Sequence, residues 1–527
     1  MSVTSITPLA PAYALLLGAF LVLSVGPILA PQHRRRLLVA VSALAALSLL
    51  VDAAGDLAAG GDAPLRVLAE WLGEPVVVLR SPATQPLAWL LMLLLVVTAL
   101  AGQARADEQY PLGQAMLLVG AAAAYGLVLA GTARTLALAW LVFQGVAALI
   151  FLIHWRSAQA MGRLLAGVLA CAAVLGVSQG VDPAALGALQ LGGVFSLVVW
   201  LQVGLYPLLE SEGLPGPALP VRLCWSGLNL LAGLYLATTG VASWVLWPAL
   251  ATTLLHGVLA WLEPSRERAL VHAAHTLAGA VVVLAAAGGN AQAILAASIS
   301  TLAGLLALGL TPARLGRRQL HPAANLAYLP PILASLTWFG LPLTLGWTGR
   351  ENLYWTVWVA RGPLNLAWMA IAEGAGLAVL YRYWQLLLRP PQHPERPGAA
   401  LSGLAAGLAA LPLLAPLTAP WLWAPTQPGP FNPEVWTGLA GAWLWAFFLG
   451  YGRDWLLNAI LPIRPAVLRR LRLGWLVHGL GRVLDRLSRV LLRVRVVVEG
   501  EHYLAWAILL AICLGLWVIV DSPDVPR

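Results

Sequence analysis

The stretch Val198–Tyr235, VVWLQVGLYPLLESEGLPGPALPVRLCWSGLNLLAGLY, decides how the chain is read. One apolar segment stops at Pro207, a Pro- and Gly-rich turn follows, and a second apolar segment starts near Pro220. Gln202 lies five residues before Pro207 in otherwise apolar surroundings. A proline inside a membrane helix removes a backbone donor and frees carbonyls, and these must find partners in protein or water because lipid offers none. Interrupted helices of this kind often line intramembrane pathways. The same letters also fit a helix that simply ends at a loop.

The rest of the chain sets the class. Of 527 residues 60% are hydrophobic and only 10% charged, and the long apolar runs read as membrane spans of a polytopic α-helical protein. All 31 basic residues are arginine, with no lysine anywhere. Arginine does not release its proton at any accessible pH, so no relay built on a side-chain amine can exist here. Cys171, Cys224 and Cys513 are far apart in or beside apolar spans and read as small buried hydrophobes. There is no GxGxxG, phosphate-binding loop, haem-attachment pattern or catalytic triad, so no catalytic centre, cofactor, metal or nucleic-acid partner is expected.

Spans are expected at about 9–29, 37–54, 84–103, 111–130, 133–153, 160–179, 184–209, 219–240, 243–262, 267–287, 290–311, an interrupted 323–361, 364–388, 399–423, 433–452 and 502–521, sixteen in all. His33 and Arg34–Arg36 directly follow the first span, which puts that side in the cytoplasm and the amino terminus outside. Charge follows the apolar run instead of preceding it, so the segment is not read as a cleaved signal. With loops assigned alternately, 25 arginines fall on the cytoplasmic side and six (Arg66, Arg80, Arg134, Arg350, Arg361, Arg527) outside, so both termini are expected outside an inner membrane. Residues 453–501 mix arginine with leucine and valine at helical spacing, the pattern of an amphipathic helix lying in the membrane plane.

Polar residues inside these spans are the candidate pathway. Gln144 follows Trp140–Phe143, and Gln202 stands in the opening stretch. His272 and His275 are three apart and share a helix face, with His256 in the preceding span. They can pass a proton or serve as hydrogen-bonded interior residues. Trp338–Arg350, WFGLPLTLGWTGR, breaks a span at Gly-Leu-Pro and ends in Arg350, and the following span closes with Leu380–Trp384, LYRYW. Glu373 is the one carboxylate expected in the hydrocarbon interior, where it handles protons, pairs with an arginine such as Arg350 or Arg382, or hydrogen-bonds to a neighbouring helix.

These motifs resemble the antiporter-like subunits of respiratory complex I, of Mrp cation/proton antiporters and of membrane-bound hydrogenases. There a lysine stands five residues before the proline and a Pro-x-Pro-Val-Ser-Ala turn follows; here these read Gln202, Pro207 and Ala218–Leu223, with Tyr235 in place of the family's Gly-x-Tyr tyrosine. A buried glutamate that partners that lysine reads Gln144, and the end of the family's Gly-Leu-Pro-Pro-x-x-Gly-Phe-x-Gly-Lys reads Arg350. Residues 71–79 resemble the short strand before the third span.

The resemblance implies a three-helix region at 1–110, inverted five-helix repeats at 111–240 and 243–388, two further spans at 399–452, a lateral helix at 453–501 and a closing span at 502–527. It also implies that Gln144 and Gln202 face each other without charge. The expected role is a subunit beside other membrane subunits of an oxidoreductase or ion-coupled complex, with a degenerate proton path. The alternative is the membrane subunit of a two-component bicarbonate or CO2 uptake system.

Overall fold

A computed structural model describes residues 9–58, 66–71, 74–78, 85–103, 111–153, 163–164, 167–168, 171, 196–207, 219–312, 326–389, 399–415, 432–471 and 486. Two compact units divide the chain, Met1–Gly474 and Trp475–Arg527. Of the second only Arg486 is described, so the span expected at 502–521 and the second half of the lateral helix lie outside the described residues, as do most of 160–179 and the first part of 184–209.

The first unit is a bundle of apolar helices. In chain order these are α1 (Ala10–Ser24), α2 (Pro31–Ala58), α3 (Gln85–Gln103), α4 (Pro111–Val128), α5 (Ala133–Ile153), α6 (Ser196–Leu205), α7 (Leu219–Thr238), α8 (Leu246–Leu262), α9 (Arg266–Ala286) and α10 (Ala291–Leu310). There follow α11 (Leu329–Phe339), α12 (Leu345–Arg361), α13 (Pro363–Leu387), α14 (Ala399–Ala410), α15 (Pro433–Tyr451), α16 (Arg453–Ile460) and α17 (Arg464–Leu471). Among the described residues four helical stretches, Ser243–Leu262, Arg266–Ala286, Ala291–Leu310 and Pro363–Leu387, are long and apolar enough to cross a membrane by themselves. This is a helical membrane protein.

Between α2 and α3 the sequence reading foresees a single strand at 71–79. The chain instead forms a hairpin, β1 (Arg66–Trp71) antiparallel to β2 (Glu74–Val78), with an irregularity between Val67 and Ala69. The amphipathic stretch beginning at Arg453 opens as two short helices, α16 and α17, separated by a turn at 461–463, so it is not continuous from its start.

Helix ends follow local chemistry. Asn432 and Asn290 cap α15 and α10 by accepting the backbone N–H of Glu434 (2.9 Å) and Gln292 (2.8 Å), and Pro433 opens α15, where its missing N–H costs nothing. The expected interruption of 323–361 falls at Gly-Leu-Pro. Gly340 adopts φ +65°, its N–H donates to Thr337 O (2.9 Å) and the Leu341 N–H to Leu336 O (3.1 Å), a Schellman closure of α11. Thr344 then caps α12. The intervening Leu343 sits at φ +68°, a left-handed conformation that a leucine holds only under constraint.

Lipid supplies no hydrophobic force between helices, so their association rests on close approach and interhelical hydrogen bonds. At Gly257 a Cβ would lie 2.6 Å from the Ala372 carbonyl, so only glycine lets α8 and α13 meet there. Indole N–H groups tie neighbours together: Trp443 donates to Phe339 O (2.8 Å), Trp261 to Leu449 O (3.0 Å) and Trp338 to Ser300 O (3.2 Å).

Candidate functional site: two buried polar centres

The first centre gathers around α6. Residues Leu201–Leu205 form a π-turn, wider than an α-turn, and Gln202 within it is fully buried. Its side chain meets Gln144 of α5, whose Nε2 donates to Gln202 Oε1 at 3.2 Å, as the paired loss of charge implies. Arg163 joins them, its Nη1 donating to Gln202 Oε1 (2.9 Å) and Gln144 Oε1 (3.3 Å). A guanidinium only donates, so both amides must turn their oxygens toward it, which fixes their orientation. Gln202 Nε2 then donates to Asn229 Oδ1 (2.7 Å) and the Asn229 carbonyl (3.2 Å), and Asn229 Nδ2 to Trp225 O (2.9 Å). Arg163 also lies 4.2 Å from the centre of the Tyr206 ring.

Carbonyls on the same π-turn hold the histidines. His256 Nε2 donates to Gly204 O (2.9 Å) and His275 Nδ1 to Val203 O (3.1 Å). In a neutral ring this leaves His256 Nδ1 as an acceptor, so His272 Nδ1, 3.2 Å away, is the donor between them. The His256 ring lies 5.1 Å from that of His275 and 5.4 Å from that of His272. All three are buried. The structure thus brings together the five residues Gln144, Gln202, His256, His272 and His275 and adds Arg163 and Asn229, which sequence reasoning missed.

The second centre sits at the break between α11 and α12. Arg350 Nε donates to Glu373 Oε2 at 3.2 Å, with side-chain exposures of 7% and 2%. Arg350 Nη1 reaches back to Thr337 O (3.2 Å) in the last turn of α11, and the Tyr354 hydroxyl donates to Glu373 Oε2 at 2.5 Å. Beside the pair is a small cavity of about 20 Å³ lined by Ser300, Thr301, Gly346, Arg350 and Glu373 and by apolar α9 side chains. One water needs roughly 10–15 Å³. Ser300 and Thr301 both donate to Ala297 O, so what their hydroxyls can still offer a water is acceptor capacity.

Three readings from the sequence are corrected here. Arg163, counted with the cytoplasmic arginines, and Arg350, counted outside, are both buried in polar centres; taking one from each side still leaves 24 against five. Glu373 is not the sole interior carboxylate. Glu351 on α12 is also fully buried, and neither oxygen makes a hydrogen bond of normal geometry among the described residues, the Trp347 side chain being the polar group that acts on it. Arg382 does not pair with Glu373 but donates to the carbonyls of Glu263 (2.7 Å) and Pro264.

The chain superposes over 97% of its length on 99% of a chain of the membrane-bound sulfane sulfur reductase, an archaeal respiratory membrane complex, at TM-score 0.64 and 17% identity. It shares the fold of that chain. The same fold appears in a chain of the Mrp complex from Dietzia sp. DQ12-45-1b (TM-score 0.62, 20% identity, 98% of this chain and 64% of that longer one). It appears again in a chain of respiratory complex I from Thermus thermophilus (TM-score 0.56, 21% identity, 78% and 98%). No protein-family model and no curated protein matches the sequence. In this fold the two centres differ in kind: one is amides around a permanent cation, the other an ion pair with a tyrosine and space for water.

Proposed function

We propose that the protein is an antiporter-like membrane subunit of a multi-subunit assembly of the complex I, Mrp or membrane-bound reductase type, inert to protons in its first repeat and proton-handling at Glu373 in its second. The contrast between the two centres carries this reading. Neither an amide nor an arginine gives up a proton, so Gln144, Gln202 and Arg163 form a fixed polar plug. Glu373, held by Arg350 and Tyr354 beside a water-sized cavity, has what a proton carrier needs: a titratable group, a counter-charge and room for water. The three histidines are titratable groups anchored on the π-turn that carries Gln202 of the plug.

The reading includes sixteen spans with both termini outside, inverted repeats at 111–240 and 243–388, and a lateral helix following α15. Its fold neighbours are chains of multi-subunit complexes, which supports a life among other membrane subunits. Company decides between this and the membrane half of an inorganic-carbon uptake pair. Gentle solubilisation followed by mass spectrometry should recover redox or cation-transport subunits; recovery of a carbonic-anhydrase-like zinc protein instead would transfer the function to carbon uptake. Within the intact complex, Arg350→Gln/Glu373→Gln, which removes both charges of the pair, should assemble yet lose the proton uptake assigned to this subunit. Unchanged pumping would make it a spacer.

A further inference from the structure

Away from both centres, arginines converge where α8, α13 and α15 end together. Arg464 donates through Nε and Nη2 to Leu262 O (3.2 and 2.6 Å), while Arg382 donates through Nη1 to Glu263 O (2.7 Å) and through Nη2 to Pro264 O. Three consecutive carbonyls at the end of α8 thus draw two guanidiniums side by side, the placement that a helix C-terminus favours. These bonds leave most of the guanidinium N–H groups unused.

Arg453, opening α16, completes the cluster. Burial and then the charges of Arg382 and Arg464 push it down to about 10, against a smaller pull from Asp454. Asp454 is no tight partner: it stands 4.0 Å away with its side chain 92% exposed. Arg389 adds positive charge to the same group and Glu263 negative. Four arginines (382, 389, 453, 464) therefore face two carboxylates (263, 454), an excess of two positive charges.

Next to this excess runs an apolar stripe. Leu444, Phe447, Phe448 and Tyr451 on α15 and Trp455 on α16 are all more than half exposed and recur at helical spacing, with Phe447 stacked on Tyr451 at 5.8 Å. From 444 to 455 a helix rises about 16 Å at 1.5 Å per residue. That is close to half of the roughly 30 Å hydrocarbon core, the depth that one leaflet's acyl chains fill. A free anion would leave the stripe bare.

We propose that this is a binding site for an anionic phospholipid, with the phosphate on Arg382, Arg453 and Arg464 and an acyl chain along Leu444, Phe447 and Tyr451. The assignment is independent of the proton reading. It is tested on the purified full chain in mild detergent by native mass spectrometry with phosphatidylglycerol, phosphatidylcholine of the same chains, and inorganic phosphate as a separate thermal-shift arm. Wild type should retain phosphatidylglycerol at least tenfold better than phosphatidylcholine, and only the lipid should raise the melting midpoint.

Arg453→Gln, which breaks no carbonyl bond, should abolish that preference. Phe447→Ser should weaken long-chain phosphatidylglycerol while leaving a short-chain form unaffected. Three outcomes overturn the proposal: equal retention of the two lipids by wild type, full stabilisation by phosphate alone, or unchanged lipid preference in Arg453→Gln.

Discussion

Replacing Arg350 by glutamine leaves the Glu373 carboxylate in the bundle interior with the Tyr354 hydroxyl as its remaining donor, because Arg350 Nε and Tyr354 are the two groups that bond to it. Replacing Glu373 by glutamine removes the counter-charge and leaves the guanidinium with only the Thr337 carbonyl and a neutral amide oxygen. Each single change strands a charge at a site where the side chains are 7% and 2% exposed, so screening by solvent is slight. Breaking such a pair from one side costs about 3–5 kcal/mol, whereas removing both charges is often close to neutral.

The double variant Arg350→Gln/Glu373→Gln creates two facing amides, an arrangement the protein already uses at 3.2 Å between Gln144 and Gln202. Expected is a double variant more stable than either single, with a coupling energy of about 2 kcal/mol or more. Reversible unfolding in mixed micelles of increasing denaturing surfactant reads the four free energies; about 1.4 kcal/mol is tenfold in the folded-to-unfolded ratio. Singles that add to the double within about 0.5 kcal/mol would refute the pair as a coupled unit.

Three further expectations follow from particular contacts. Gln202→Lys puts an ammonium where Arg163 now donates at 2.9 Å, so it should lower the melting midpoint, and adding Gln144→Glu should recover part of the loss; no recovery would mean that the three side chains do not act together. Gly340→Ala, at φ +65° and with its Cβ 2.6 Å from Arg350 Cδ, should destabilise by about 1–2 kcal/mol or more, while Gly403→Ala, with open space around it, should be neutral or stabilising; equal effects would remove the argument for the break. Reporter fusions after Arg36 and after Arg396 should both read cytoplasmic, and an external signal from either would change the span count.

Most helix positions were legible because apolar runs and Gly/Pro breaks are local signals: 85–103, 133–153, 243–262 and the Gly-Leu-Pro interruption fall within a few residues of where the letters put them. The facing of Gln144 and Gln202 was legible through motif resemblance, since nothing in spacing alone joins residues 58 positions apart. Arg163 was not, because charge counting treats every arginine near a span end as a surface anchor, and only tertiary packing turns this one inward. Tyr354 and Glu351 were hidden by their neighbours: α12 is polar and aromatic enough that one tyrosine and one carboxylate carry no periodic signal of their own. The hairpin's first strand was missed for a similar reason, since Arg66–Trp71 alternates too weakly to announce itself.

The π-turn at Leu201–Leu205 sets an unusual rule for which changes this region tolerates. His256 and His275 grip main-chain oxygens at 204 and 203, so their bonds ignore the identity of the side chain at 203. They depend instead on residue count. Deleting one residue between Trp200 and Tyr206 would let the turn relax to ordinary α-helix, which absorbs the deletion with little change beyond it but draws the carbonyls at 203 and 204 back into the intrahelical ladder and away from His275 and His256. Single-residue deletions through 201–205 should therefore cost both histidine anchors, whereas apolar substitutions at 203 should keep them and be limited only by the packing of that side chain on Gly233: the segment behaves as a ruler whose marks cannot be moved.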